Sequence, residues 1–273
     1  RGLGDVYKRQ TQSLSLGGLT YGVTNMELTS AYASIANGGT YQKPVLYTKV
    51  VDHNGNILLS NTQKGKRVMK ESTAFLLTDA MKDVITKGTG KSAKLSSSMA
   101  VAGKSGTTSN SYDYWFSGYT PYHTASVWMG YDKNTNFASD NTHKKIWAKV
   151  MDEIIKTKQE QTTDFKKPAD IVKAKVCKES GKLAIKGVCD HDPRGSRVIT
   201  EYFEKGTVPT QTCDIHVAVE VCKTSDKLAT KNCPANKKQR KIYIVRKKGS
   251  HGKTADTPYL LPKKYQSVFC KKH

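Results

Sequence analysis

No cysteine occurs in the first 176 residues of this 273-residue chain, and all six fall in the remaining C-terminal part. The absence marks a break in composition and confines cysteine chemistry to that part. Long apolar runs are missing too: none approaches the ~20 residues that a membrane-spanning helix needs. The opening, Arg1 to Gln10, has no apolar stretch of the kind a secretory signal requires and no periodicity that continues into residues 11–21. It reads as a junction segment. With Arg1 in place of an initiator methionine, the chain is expected to be the C-terminal piece of a longer protein. Acidic residues are scarce, 23 against 45 Lys and Arg, for a net charge of +22. The imbalance is +7 over residues 1–155 and +15 over residues 156–273. Such an excess serves solubility or attracts a polyanion: nucleic acid, anionic lipid or wall polymer. No nucleic-acid motif accompanies it and the cysteine usage suggests export, so nucleic acid is not expected as a partner.

What is present suits one large or two small globular domains: 37% apolar and 25% charged residues. Gly17-Gly18 marks a turn. Thr24 with Glu27 three residues on forms a capping box, and Met26, Leu28, Tyr32, Ile35 and Ala36 continue at helical spacing until Asn37-Gly38-Gly39 stops the helix. Next comes a hairpin, Val45 to Val51 and Ile57 to Leu59 around Asp52-His53-Asn54-Gly55. A second helix is predicted over Glu71 to Thr86, with Phe75, Leu76, Leu77, Ala80, Met81, Val84 and Ile85 on its apolar face. Three strands come after it, Met99 to Ser105, Tyr112 to Tyr119 and His123 to Tyr131. Their short connections imply antiparallel neighbours. A third helix begins near Thr142, with Ile146, Trp147, Val150, Met151, Ile154 and Ile155 on its buried face. Polar residues 156–168 read as a linker.

At the end of the first of those strands stands Lys104-Ser105-Gly106-Thr107-Thr108. Lys104 brings positive potential. Ser105 and Thr107, two apart on a strand, share a face, and both hydroxyls can hydrogen-bond a carboxylate. Gly106 removes a side chain where a substrate backbone can lie alongside. Read by itself, this is an ordinary strand end. The order of neighbouring segments changes that: Leu16-Gly17-Gly18, Met26 to Ala33, Ala36-Asn37-Gly38-Gly39-Thr40-Tyr41, Lys104 to Thr108, Trp115 to Pro121 and Val127 to Asp132. Together they resemble the C-terminal half of the transpeptidase domain of class A penicillin-binding proteins, over a little more than half of the chain.

The resemblance implies an α+β fold, an antiparallel sheet flanked by helices as in penicillin-binding transpeptidases and serine β-lactamases. Here it would be partial, over residues 11–155 after the 1–10 junction. It also implies a D,D-transpeptidase that cross-links peptidoglycan stem peptides through a serine acyl-enzyme and is blocked by β-lactams. The D-Ala-D-Ala peptide would be its partner, no cofactor or metal is needed, and it would work at the outer face of the cell membrane with its anchor upstream. In that family three motifs cooperate: Ser-x-x-Lys with the nucleophile, Ser-x-Asn, and Lys-Thr/Ser-Gly. Only the third stands in its place. Ser139-Asp140-Asn141 and Ser250-His251-Gly252-Lys253 match the other two in letters but come after Lys104, the reverse of the family's order. The nucleophile and a glycosyltransferase domain are therefore expected upstream, and the isolated chain is expected to be inert. By resemblance, Lys104 is a carboxylate clamp and proton relay, the Thr107 N–H is an oxyanion donor, and Ser105, Gly106, Thr107 and Thr108 line the substrate. Trp115, Phe116, Tyr119 and Trp128 read as sheet packing, and His123 and His143 have no companions suited to a metal.

Residues 169–273 form a separate Cys- and Lys-rich extension. Val176-Cys177-Lys178-x-Ser180-x-Lys182-Leu183-Ala184-x-Lys186 recurs 45 residues later as Val221-Cys222-Lys223-x-Ser225-x-Lys227-Leu228-Ala229-x-Lys231, an internal duplication. A zinc centre calls for closely spaced ligands, and no Cys-x-x-Cys occurs. Disulfides in an oxidising exterior are expected instead. The repeat favours Cys177 with Cys189 and Cys222 with Cys233, which leaves Cys213 for Cys270. Two alternatives to the wall synthase are a serine β-lactamase or D,D-carboxypeptidase relative, and a non-catalytic basic module that binds wall polymer.

Overall fold

The computed structural model describes residues 14, 17–19, 22–245 and 254–272. Backbone contacts divide the chain into two units, Arg1–Ala169 and Asp170–His273.

In the first unit, helix α1 (Asn25–Ala36) starts as its capping box dictates. The Glu27 N–H donates to Thr24 Oγ1 at 3.2 Å and the Thr24 N–H to Glu27 Oε2 at 2.9 Å. Its stop has a further purpose. Gly39 sits at φ +86°, and a side chain there would collide with the Met69 carbonyl. The glycine thus admits the close approach that lets β1 (Thr40–Tyr41) pair with β4 (Lys66–Arg67). Between them lies the hairpin of β2 (Lys49–Val51) and β3 (Ile57–Ser60), whose turn is closed by Asp52 Oδ1 accepting from the Asn54 and Asn56 N–H groups. Ile57, Leu58 and Leu59 of this hairpin are exposed.

Helix α2 (Glu71–Thr86) buries Ala74, Thr78, Met81 and Ile85, spaced by helical turns along one stripe. The sheet it covers is β5 (Ala102–Thr107), β6 (Asp113–Tyr119) and β7 (Thr124–Gly130), antiparallel and in that order. Helix α3 (Thr142–Lys158) lays Trp147, Ala148, Met151 and Ile155 on one face of this sheet, against Phe116 and Val101. Trp147 meets Phe116 edge-on at 5.1 Å, and its indole N–H donates to the Ala125 carbonyl at 3.0 Å. Phe116 and Tyr119 point to opposite faces, as an odd separation on a strand requires. Tyr119 therefore packs with Ala102, Met81 and the α1 residues Tyr32 and Ile35. The mixed helix and antiparallel sheet is the α+β arrangement expected.

The stretch expected to be a linker is bound instead to the first unit. Helix α3 runs on to Lys158. Beyond it, Glu160 Oε1 meets His123 Nε2 at 2.6 Å, the Ala100 N–H donates to the Thr163 carbonyl at 3.2 Å, and Lys82 donates to both Asp164 oxygens at 2.7 and 2.8 Å. The Phe165 ring then seats edge-on against Tyr119 at 5.4 Å. With its polar groups spent on the sheet ends, the segment needs no periodicity of its own, and so the sequence pattern did not reveal it.

Strand β8 (Ile171–Cys177) pairs antiparallel with β9 (Val198–Glu204). Strand β10 (His216–Cys222) pairs with β12 (Lys238–Ile244) and with β11 (Lys227–Leu228). The two copies even share hydrogen bonds at the 45-residue offset: Ala184 N–H to the Lys175 carbonyl at 3.1 Å, and Ala229 N–H to the Glu220 carbonyl at 2.8 Å.

Candidate active site

The Lys104–Thr108 run lies along β5, the edge strand of its sheet. Among the described residues, no strand pairs with its outer side. In an antiparallel ladder the backbone groups of successive residues alternate between the two sides. The Thr108 N–H donates inward to the Asp113 carbonyl at 3.2 Å. Gly106 and Lys104 therefore also pair with β6, while the N–H and C=O of Ser105 and Thr107 point to the open side. The exposed Lys104 side chain folds over to use that side, donating from Nζ to the Ser105 carbonyl at 2.9 Å. An ammonium, two amide groups and two hydroxyl-bearing residues thus collect along one unpaired edge.

Side-chain placement refines the expected roles. Ser105 and Thr107 share the face of Phe116 and Tyr114, their cross-strand partners. Ser105 Oγ is half-buried and lies 3.0 Å from Thr89 Oγ1, and Thr107 is exposed. Gly106 leaves open space: the nearest atom to an added Cβ would be Trp115 Cβ, at 3.5 Å. Thr108 differs from its expected role at the substrate. Its hydroxyl accepts from the Asp113 N–H at 2.9 Å and donates to Asp113 Oδ2 at 3.2 Å, so it is engaged in the β5–β6 turn. Asp113 Oδ1 in turn accepts the Trp128 indole N–H at 2.8 Å. Trp128, Phe116 and Tyr119 thus serve packing and sheet geometry.

Two residues at this edge had no sequence signal. Lys144, buried at the start of α3, donates to the Thr89 carbonyl and to Asn141 Oδ1, both at 2.8 Å. Burial, and after it the charge of Lys104, draws the Lys144 ammonium below the usual lysine range. Thr89, after α2, therefore links Lys144 to Ser105. The near-match Ser139-Asp140-Asn141 precedes α3, with Asn141 in the left-handed region at φ 70°; its amide oxygen serves Lys144. Ser250-His251-Gly252-Lys253 lies outside the described residues.

The cysteines depart from the expected pairing, and the departure is a correction. All six are free and buried. Cys213 lies with Cys177, Cys189 and His216, whereas Cys270 lies with Cys222 and Cys233. Cys213 and Cys270 therefore belong to separate groups and are not partners. Strand pairing brings together residues as far as 39 apart along the chain, which spacing rules cannot show. His216 Nε2 is 2.6 Å from Asp192 Oδ2. Burial opposes charge on Asp192, but hydrogen bonds from Arg194 and His216 outweigh it and hold that carboxyl well below the usual range.

Known proteins resemble this chain over most of its length. Residues 4–156 match the penicillin binding protein transpeptidase domain, and residues 167–218 match the penicillin-binding protein 1A C-terminal domain. Penicillin-binding protein 1A of Clostridium botulinum (strain Langeland) is 37% identical over 256 residues, covering 92% of this chain and 30% of that protein. Penicillin-binding protein 2D of Bacillus subtilis is 34% identical over 237 residues, 83% of this chain and 32% of the relative. The chain thus spans about a third of the length of these relatives. Among solved structures, penicillin-binding protein 1A from Haemophilus influenzae shares the fold at a TM-score of 0.60 and 23% identity, covering 76% of this chain and 35% of that one.

Proposed function

Because this chain belongs to the penicillin-binding protein transpeptidase family, we propose that the open edge of β5 is one wall of a D,D-transpeptidase cleft. The observation that carries the reading is that edge: Ser105 and Thr107 backbone groups directed to the side of β5 that no strand pairs with among the described residues, with the Lys104 ammonium already on the Ser105 carbonyl. A stem peptide ending in D-Ala-D-Ala lies along it as an added strand. Lys104, with the Ser105 and Thr107 hydroxyls, holds the terminal carboxylate. The Thr107 N–H points to where negative charge grows on the carbonyl oxygen during acyl transfer. Gly106 keeps the edge clear. Lys144 adds buried positive charge behind Thr89. A β-lactam carries a carboxylate beside its reactive carbonyl and occupies the same edge.

The serine that attacks this carbonyl belongs to a Ser-x-x-Lys segment upstream of these residues, as does the membrane anchor that keeps the enzyme at the outer face of the cell membrane. Among the described residues no helix is long and apolar enough to cross a membrane. The basic C-terminal half adds affinity for anionic wall polymer. Fluorescent penicillin tests the reading. The isolated chain takes up no covalent label, and the chain joined to a segment supplying Ser-x-x-Lys does. Covalent labelling of the isolated chain refutes the absence of the nucleophile.

A further inference from the structure

We propose that the second unit holds a structural metal ion of the zinc class, ligated by Cys177, Cys189, Cys213 and His216. The three sulfurs and one ring nitrogen lie within 4.8 Å of one another, and all four residues are buried. A tetrahedral ion with metal–sulfur bonds of ~2.3 Å and a metal–nitrogen bond of ~2.0–2.1 Å sets sulfur–nitrogen edges of roughly 3.5 Å. His216 Nδ1 lies 3.4 Å from Cys177 Sγ and 3.3 Å from Cys213 Sγ. A disulfide would join only two of the sulfurs, at ~2.05 Å, and leave the third cysteine and the imidazole without purpose.

The surroundings point the same way. His216 Nε2–H donates to Asp192 Oδ2 at 2.6 Å, which leaves the Nδ1 lone pair facing the sulfurs. That is the carboxylate–histidine–metal arrangement, in which the outer carboxylate fixes the ring's tautomer and orientation. Asp192 is itself pinned: Arg194 donates from Nη2 at 2.7 Å, from Nε at 3.0 Å and from its backbone N–H at 2.7 Å. The Ile185 N–H donates to Cys189 Sγ at 3.3 Å, a contact that stabilises a thiolate. Three sulfurs and an imidazole select a borderline-soft cation over calcium or magnesium. Four protein ligands leave no open position, so the ion's role is structural. The unit has reason to need one, since two of its buried clusters are built around the cysteines themselves. On binding, each thiol gives up its proton, so affinity falls as the solution is acidified.

The duplication carries a second site. Leu228 N–H to the Val268 carbonyl at 2.9 Å and Cys270 N–H to the Leu228 carbonyl at 2.8 Å repeat Leu183 N–H to Gln211 and Cys213 N–H to Leu183, at 2.9 and 2.8 Å. Cys270 is therefore the counterpart of Cys213, grouped with Cys222 and Cys233 within 4.8 Å. The spacing Cys213-x-x-His216 recurs as Cys270-x-x-His273.

The test is elemental analysis of the full chain purified under reducing conditions without chelators, with intact mass measured alongside. Two zinc ions per chain and six free thiols are expected, with cobalt substitution giving the absorption of a tetrahedral thiolate site. Cys213→Ser should remove one ion. Asp192→Asn, which keeps all four ligands, should weaken zinc about 10–100-fold in competition with a chromophoric chelator, and it gives a readout even where Cys213→Ser does not fold. One ion, abolished by Cys213→Ser, upholds the first site and overturns the second. A metal-free chain whose mass is lowered by two hydrogens per disulfide overturns both, as does bound zinc indifferent to Cys213→Ser and Asp192→Asn.

Discussion

Two glycines on β5, three residues apart, should respond to alanine in opposite ways. An alanine at position 103 would place its Cβ 2.8 Å from Phe116 Cζ, 2.9 Å from Gly118 Cα and 2.9 Å from the Ser117 carbonyl oxygen. Two of those three atoms are backbone in a paired strand and cannot step aside, and Phe116 is locked against Trp147. Overpacking of this kind costs about 1–3 kcal/mol. A loss of ~2 kcal/mol in a domain of this size lowers Tm by roughly 4–8 °C. At position 106 the nearest atom is Trp115 Cβ at 3.5 Å, an ordinary contact. Glycine in a strand interior is ~0.5–1 kcal/mol worse than alanine, so Gly106→Ala should leave Tm unchanged or raise it by roughly 2–4 °C. Thermal unfolding followed by circular dichroism compares the two variants with the parent chain. The functional consequence reverses the order: in a protein that also supplies the nucleophile, Gly106→Ala crowds the open edge and should slow acylation by penicillin without loss of stability. Equal losses of Tm for both variants would contradict the packing derived for β5, and unimpaired acylation of Gly106→Ala would contradict the role given to its open space.

Other outcomes rest on the same contacts. Trp147→Ala removes a fully buried ring and the hydrogen bond to Ala125, and should cost about 3–5 kcal/mol, read from urea midpoints. Tyr119→Phe deletes the 2.7 Å hydroxyl contact with Thr78 Oγ1 and should cost about 1 kcal/mol by the same measurement. His143 is held down to about 4, first by burial and then by Lys144. Unfolded histidine titrates near ~6.5, so the unfolded chain takes up the extra proton. Stability should be level above that pH and fall between about 6.5 and about 4, and His143→Gln should flatten this part of a Tm–pH profile. The exposed Lys82–Asp164 pair should contribute no more than ~1 kcal/mol, so Asp164→Asn should shift Tm little, whereas Phe165→Ala, which unseats the ring on Tyr119, should shift it more.

Sequence was most legible where local rules decide structure. The capping box at Thr24 and Glu27 set the start of α1, and apolar periodicity set the bounds of α2, although the stripe it buries is Ala74, Thr78, Met81 and Ile85, and Leu77 and Ala80 of the predicted face are exposed. The short turns between apolar runs gave the antiparallel order of β5, β6 and β7. Boundaries moved where tertiary contacts decide them. Met99 to Val101 read as strand, yet β5 begins at Ala102 because Ala100 is bonded to Thr163 instead. Contacts across long stretches of chain were illegible: the Thr89–Lys144 link to Ser105, the docking of Phe165, and above all the cysteines. Repetition of Cys177 and Cys189 as Cys222 and Cys233 suggested pairs. The structure adds Cys213 and His216 to the first group and Cys270 to the second, through strand registers that no spacing rule encodes.

The role of the β5 edge is tested most directly by the rate of acylation with fluorescent penicillin in a protein joining this chain to a Ser-x-x-Lys segment. Lys104→Ala should slow that rate by on the order of 10²-fold, as loss of one preorganised electrostatic partner does, with Tm unchanged because the Lys104 side chain is exposed. An acylation rate unchanged by Lys104→Ala would contradict the assignment of β5 as the carboxylate-binding wall.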